Sequence, residues 1–296
     1  MGWSEGNNSN KFTGMKVTAL ITILLVSFSF GYSQTKDSLV APWWVEKFKL
    51  TAGFFYPVNS TKIQVGLNGQ AQGTDIDFEK DLGFGSSVGT FLANFQWRIS
   101  RRSRINLAFY DIRRSSTHTL QRDITFNDQT YHANATVNSF FNTAIYQFSY
   151  GYAIIEKPKY ELGLLIGTHT VGGNAGIALN GASAGASTKN DFGFTAPLPD
   201  LGIWGGYAFS NRFAVNLDMD YLSLTVNNIT GRLLAYNLVF SYKLIEQLDL
   251  SLAYSGLNFN VKTLKKNVNG DFRWGYNGPS LGATFSFGKK SWVHPL

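Results

Sequence analysis

The chain has 296 residues, of which 44% are apolar, 15% aromatic and 15% charged, with a formal net charge of +7 and no cysteine. So few charges and so many aromatic rings exclude a disordered chain, and the absence of runs of about 18 apolar residues in the body of the chain excludes a bundle of membrane-spanning helices. The missing cysteines exclude a disulfide framework, a thiolate metal site and a lipidated N-terminal cysteine.

Residues 1–14 (MGWSEGNNSNKFTG) are polar and unpatterned, either an upstream start or a long leader. From Met15 the sequence MKVTALITILLVSFSFGYSQ has a charged start at Lys16, an apolar core from Val17 to Phe30, and small residues Gly31 and Ser33 before Gln34. This pattern predicts a cleaved secretory signal peptide at 15–33. The expected layout is leader and signal peptide over 1–33, a periplasmic segment over 34–47, a barrel over 48–287 and a tail over 288–296.

From residue 48 onward, apolar side chains recur every second position in ten segments, the period of a strand with unlike faces. They lie at about 48–57, 87–100, 103–116, 136–155, 159–173, 196–210, 212–226, 233–244, 248–262 and 271–287. In the seventh, Phe213, Val215, Leu217, Met219 and Tyr221 oppose Asn216, Asp218 and Asp220. The eighth and ninth continue the rule with Leu234, Tyr236, Leu238, Phe240 and Tyr242, then Leu248, Leu250, Leu252 and Tyr254.

Short turns are expected at Ser100–Ser103, Glu156–Lys159, Ser210–Arg212 and Ile245–Gln247, and longer loops over 58–86, 117–135, 174–195 and 263–270. Short turns on one side and long loops on the other, over an even strand count, predict a closed antiparallel transmembrane β-barrel of about ten strands. A strand of fifteen residues is roughly 50 Å long and, tilted, stands taller than an apolar band of about 25 Å. Lipid leaves no backbone group unpaired, so the sheet must close, with the apolar rows outside and the polar rows inside. Tyr56, Trp97, Tyr152, Tyr160, Tyr207 and Tyr242 are expected at headgroup level.

In three places the apolar phase changes: across Ser255-Gly256, after Tyr221, and around Gly278-Pro279. One inserted residue, a β-bulge, is the expected cause.

The signal-like N-terminus, the alternating strands and the ending GATFSF resemble small Gram-negative outer-membrane barrels of the OmpA/OmpW type. GTDIDFEKDLGF, ITGRLLAYNLVFSY and FRWGYNGPSLGATFSF also look like exported barrels of unassigned activity. The resemblance implies residence in the outer membrane, contact with its lipids and lipopolysaccharide, and delivery by the insertion machinery through Phe287, although GKKSWVHPL follows that residue.

The charged residues expected in the lumen are Lys49, Arg98, Arg113, Asp200, Asp218, Asp220, Lys243 and Arg273, either as a paired network or as a selective constriction. A non-catalytic scaffold, or a barrel that binds or passes small or lipophilic molecules, is the expected role; a lipid-modifying outer-membrane enzyme is the alternative. No cofactor and no metal site is expected, because His118, His132, His169 and His294 show no ligand spacing and no serine motif. Asp75, Asp77, Glu79 and Asp81 form an acidic run that would either bind a hard cation or pair with arginines. The cluster Arg98, Arg101, Arg102 and Arg104 sits at a turn and not along one face, so no nucleic acid is expected as a partner.

Overall fold

A computed structural model describes residues 40–67, 74–126, 129–180, 190–226, 229–265, 268–288 and 292. The expected leader, the signal peptide and His294 lie outside the described residues. The strands are β1 (Phe48–Phe55), β2 (Val58–Leu67), β3 (Ile76–Asp77), β4 (Thr90–Arg98), β5 (Ser103–Thr119), β6 (Ile124–Phe126), β7 (Gln129–Tyr131), β8 (Thr136–Glu156), β9 (Tyr160–Leu179), β10 (Asn190–Ala208), β11 (Phe213–Val226), β12 (Ile229–Ile245), β13 (Leu248–Lys265) and β14 (Val268–Phe287). One helical turn, α1 (Phe78–Asp81), follows β3.

β1 pairs antiparallel with β4 on one edge and with β14 on the other, from Phe48↔Phe287 to Phe55↔Ser280. That pairing shuts the sheet. β2 carries the same line of wall onward along β14, from Val58↔Asn277 to Leu67↔Val268. Between β1 and β2 stands Pro57, which has no N–H to give; the ladder resumes because Tyr56 N donates to Pro279 O at 3.0 Å. Gly278 is required at this crossing, since a Cβ there would meet Tyr56 O at 2.2 Å. With β1 and β2 as halves of one strand, and the two-residue β3 left out, the ring has ten strands.

The four short turns fall where the sequence places them. Two expected loops do not. Within 174–195, β9 runs on to Leu179 and β10 begins at Asn190; within 263–270, β13 ends at Lys265 and β14 begins at Val268. Backbone pairing persists there because a ladder needs no apolar side chains once the outer face meets water.

The three expected bulges are absent too. β11–β12, β12–β13 and β13–β14 run through Tyr221, Ser255-Gly256 and Gly278-Pro279 in unbroken register. The shifts that exist, at Ala153/Ile155 and Lys243/Ile245, border the short turns. What changes along the strand is the environment. Nearer the short turns, Leu250, Leu252, Phe285 and Leu281 point outward and are exposed, while Ser251, Ala253 and Thr284 point in. Nearer the loops, Leu257, Phe259, Trp274 and Tyr276 point inward and are buried, while Asn258 is exposed on the outer wall. The faces exchange chemistry without exchanging parity. This is the exchange that a wall facing hydrocarbon below and water above would require.

The loop-side interior is therefore a packed apolar core. Phe141, at 0% exposure, touches Phe78, Phe272 and Trp274. Phe78, Leu82 and Phe84 reach this core from the segment after β3, which fills the space between β2 and β5. β5 has β4 beside it only up to Tyr110; beyond that, Arg114 bonds to Glu79 of the filling segment and to Thr61 of β2, and Ser116 to Gly83 O of the filling segment.

Candidate functional site

The lumen is built in tiers. At the short-turn end, Ala41, Trp43, Trp44 and Val45 are buried against Ala208 and Ala214, with Trp292 in the same cluster. Small residues of β10 and β11 make the room: a Cβ on Gly206 would lie 2.8 Å from Trp44 Cζ2. Two lysines serve this tier. Lys49 Nζ donates to Trp44 O at 3.3 Å, and Lys243 Nζ stands 5.7 Å from the Trp43 ring. The described part of the expected periplasmic segment, 40–47, thus lies in the mouth of the barrel.

The next tier is ionic. Glu161 accepts from Arg98 Nη2 at 3.0 Å and from Arg101 Nη1, and all three side chains are buried. Arg101 lies in the turn before β5; burial, and then the neighbouring Arg98 guanidinium, push it down to about 10, so it is still charged at neutral pH. Above them the Trp204 ring centre has the Arg98 guanidinium at 5.5 Å and that of Arg104 at 3.9 Å. Arg104 in turn bonds Asp218. Cation–π contact of this kind strengthens when water is excluded. Gly163 leaves the space that the indole fills, since a Cβ there would sit 2.5 Å from Trp204 Nε1.

In the third tier, β9, β10 and β11 bring His169, Asp200 and Asp220 together, each 3% exposed. Asp200 Oδ2 is 2.7 Å from His169 Nδ1, and Gln147 Nε2 donates to Asp220 Oδ2 at 3.4 Å. A cavity of about 40 Å³ is lined here by His169, Asp218, Asp220, Gln147, Ser149 and Asn237, among others. The apolar core closes it from above.

Of the eight charged residues expected inside, Lys49, Arg98, Asp200, Asp218, Asp220 and Lys243 face the lumen. Arg113 and Arg273 do not. Arg113 shares the outer face with Leu107 and Phe109 and pairs with Asp111 beside it; the inward neighbour is Arg114. Arg273 keeps the outward parity of Leu281 and Phe285 because no bulge intervenes, and it pairs with Asp75 and Asp271. Glu161, Arg101, Arg104 and Trp204 escaped the sequence reading. In the sequence Arg101 and Arg104 belong only to a turn cluster, and an isolated Glu in Tyr160–Leu164 gives no sign of the two arginines it meets.

The acidic run pairs with basic side chains, one by one: Asp75 with Arg273, Asp77 with Lys62, Glu79 with Arg114 and Asp81 with Arg122. Asp77 also caps α1 through Lys80 N. Burial alone would raise the Asp81 carboxyl, but hydrogen bonds from Arg122 and from Asp77 N outweigh it and hold it below its ordinary value. A depressed carboxyl stabilises the fold above its unfolded value, about 3.9, and loses that contribution as pH falls through the lower folded value. The protection factors of the amides of residues 76–82, exchange rates corrected for their intrinsic pH dependence, should therefore stay flat from neutral pH down to about 4 and fall below it. Asp81→Asn should remove that acid step.

No protein-family profile matches the sequence, and no curated protein matches it either. Solved structures do. The outer membrane protease OmpT of Escherichia coli superposes with a TM-score of 0.51 at 11% identity, over 83% of this chain and 100% of that one. The chain has the fold of an outer-membrane β-barrel. The attachment invasion locus protein Ail of Yersinia pestis (TM-score 0.35, 11% identity, 81% of this chain and 99% of that one) and the toluene transporter TodX of Pseudomonas putida (0.33, 7%, 87% and 95%) overlay more loosely and add no argument. At such identities the likeness concerns the fold alone.

Proposed function

We propose that the protein resides in the outer membrane of a Gram-negative cell as a closed, non-conducting barrel that carries a water-exposed upper wall, a scaffold and not a passage. The observation that supports this reading is the filling of the lumen at successive heights: Trp43 and Trp44 at the short-turn mouth, the Arg98–Glu161–Arg101 group above it, and the Phe141–Trp274 core above that. Export through the signal-like segment at 15–33, and insertion aided by Phe287 at the end of β14, belong to the same proposal. So does the finer likeness to barrels of the OmpA/OmpW type.

Outer-leaflet glycolipid is the proposed lipid partner. On the outer wall, Lys62, Arg232 and Arg273 border a groove of about 500 Å³ that also has Tyr221 and Leu234 in its lining. A ring, an alkyl side chain and cations together suit a phosphorylated headgroup joined to acyl chains. The enzymatic alternative finds little purchase, because the His169–Asp200 pair is buried in the barrel, and among the described residues no serine hydroxyl bonds a histidine ring.

Current recorded across planar bilayers tests the main reading. The purified barrel should give no steps above the lipid baseline at either polarity. Steady, reproducible openings in the unaltered protein would overturn it.

A further inference from the structure

We propose that His169 and Asp220, with Asp200 holding the imidazole in place, form a binding site for one divalent transition-metal ion inside the barrel. The three residues come from adjacent strands, and one possible ligand atom of each lies within 4.8 Å of the others. Two buried carboxylate oxygens, Asp200 Oδ1 and Asp220 Oδ1, have no hydrogen-bond partner. A buried carboxylate oxygen without a partner is costly, and the guanidinium of Arg104 is engaged by Asp218.

Both carboxylates lean in the direction of β9, the strand of His169. Asp220 Oδ1 would lie 2.3 Å from a Cβ on Gly202, and Gly202 stands two residues from Asp200 on the same face of β10. Asp200 Oδ1 would lie 3.2 Å from a Cβ on Gly167, two residues from His169 on β9. Both strands therefore keep a glycine where a side chain would separate the acids from the imidazole.

The chemistry of the donor set selects the ion. Asp200 Oδ2 on Nδ1 fixes the ring and its tautomer and leaves Nε2 for a metal, the arrangement by which a carboxylate orients a ligating histidine. Asp220 supplies charge and oxygen. The cavity of about 40 Å³ beside them has room for the waters that complete a coordination shell. One imidazole with carboxylates suits zinc and its neighbours, whereas calcium and magnesium prefer shells made of oxygen alone.

Zinc itself is the probe. Because the lumen is filled above and below, the full chain is refolded in detergent with and without Zn²⁺, desalted, and analysed for bound metal and thermal midpoint. The expected result is one zinc retained per chain and a higher midpoint, with Ca²⁺ giving neither. His169→Asn and Asp220→Asn should each abolish retention. Asp200→Asn should weaken affinity by about 10- to 100-fold. Asp111→Asn, on the outer face, and His132→Asn, in the exposed His132–Asp123 pair, should leave retention intact. Cobalt substitution adds a check that a purely structural role would not produce: visible absorption bands that vanish in His169→Asn. The proposal is overturned if the unaltered chain retains no more zinc than Asp220→Asn does. It is equally overturned if no metal is retained and Asp220→Asn raises the midpoint, the behaviour of two acids sharing a proton.

Discussion

Replacing Glu161 by Gln is expected to cost about 3–5 kcal/mol of folding stability, the loss seen when one member of a buried ion pair loses its charge. Glu161 is completely buried and answers two guanidinium groups, those of Arg98 and Arg101. Its neutralisation leaves both arginines where water cannot reach them. Gln keeps the shape, so the effect is electrostatic and not a packing defect. The measurement is the urea midpoint of reversible unfolding, with the slope checked for constancy. The exposed pair Arg102–Glu156, where Arg102 is 48% exposed, provides the contrast: Arg102→Gln should cost about 1 kcal/mol or less. Equal losses in the two variants would show that the buried group carries no special weight.

The second large effect is expected from Phe141→Ala, about 3–5 kcal/mol, as for other fully buried aromatic truncations. Phe141 has ring centres at 5.6 Å (Phe78), 6.1 Å (Phe272) and 6.1 Å (Trp274). Those partners come from α1 and β14, so the void opens between the filling segment and the wall. Two readouts should move together: the unfolding midpoint, and hydrogen exchange of residues 76–84. Phe148→Ala, on the same strand but 45% exposed on the outer face, should change the midpoint much less. A midpoint loss in Phe141→Ala with unchanged exchange at 76–84 would show that the core does not hold that segment.

The period of two carried the fold: it is visible wherever the outer row is apolar and the inner row is polar. It predicted the strands, the short turns and the ring. It misleads toward the loop end, where Leu257, Phe259 and Trp274 fill the interior and Asn258 is exposed on the outer wall. A change of solvent and an inserted residue leave the same trace in a sequence, a switch in which positions are apolar. Only the partner strand distinguishes them, and its register is continuous. Arg113 was misplaced by a different route, although Leu107 and Phe109 two rows away already set its parity.

The candidate site was legible in part. Asp200, Asp218 and Asp220 stand out as acids on inward positions. Their partner His169 was seen alone, because the distance along the chain from His169 to Asp200 hides a contact that forms only when β9 pairs with β10. Motif spacing finds ligands on one helix or one loop. It does not find ligands contributed by three consecutive strands, whose proximity is set by the ladder. Glu161 was hidden for the same reason, since Arg98 and Arg101 reach it from β4 and the turn that follows.

The exchange of faces along β11 to β14 means that one continuous set of ladders serves two different solvents. Below the crossover, cohesion depends on what surrounds the wall; above it, on what the wall encloses. Changing detergent chain length should therefore perturb the lower girth while leaving the upper one alone, and a mild chaotrope should do the reverse. Loosening that begins at the loop end in one case and at the turn end in the other would be recorded by the same strands.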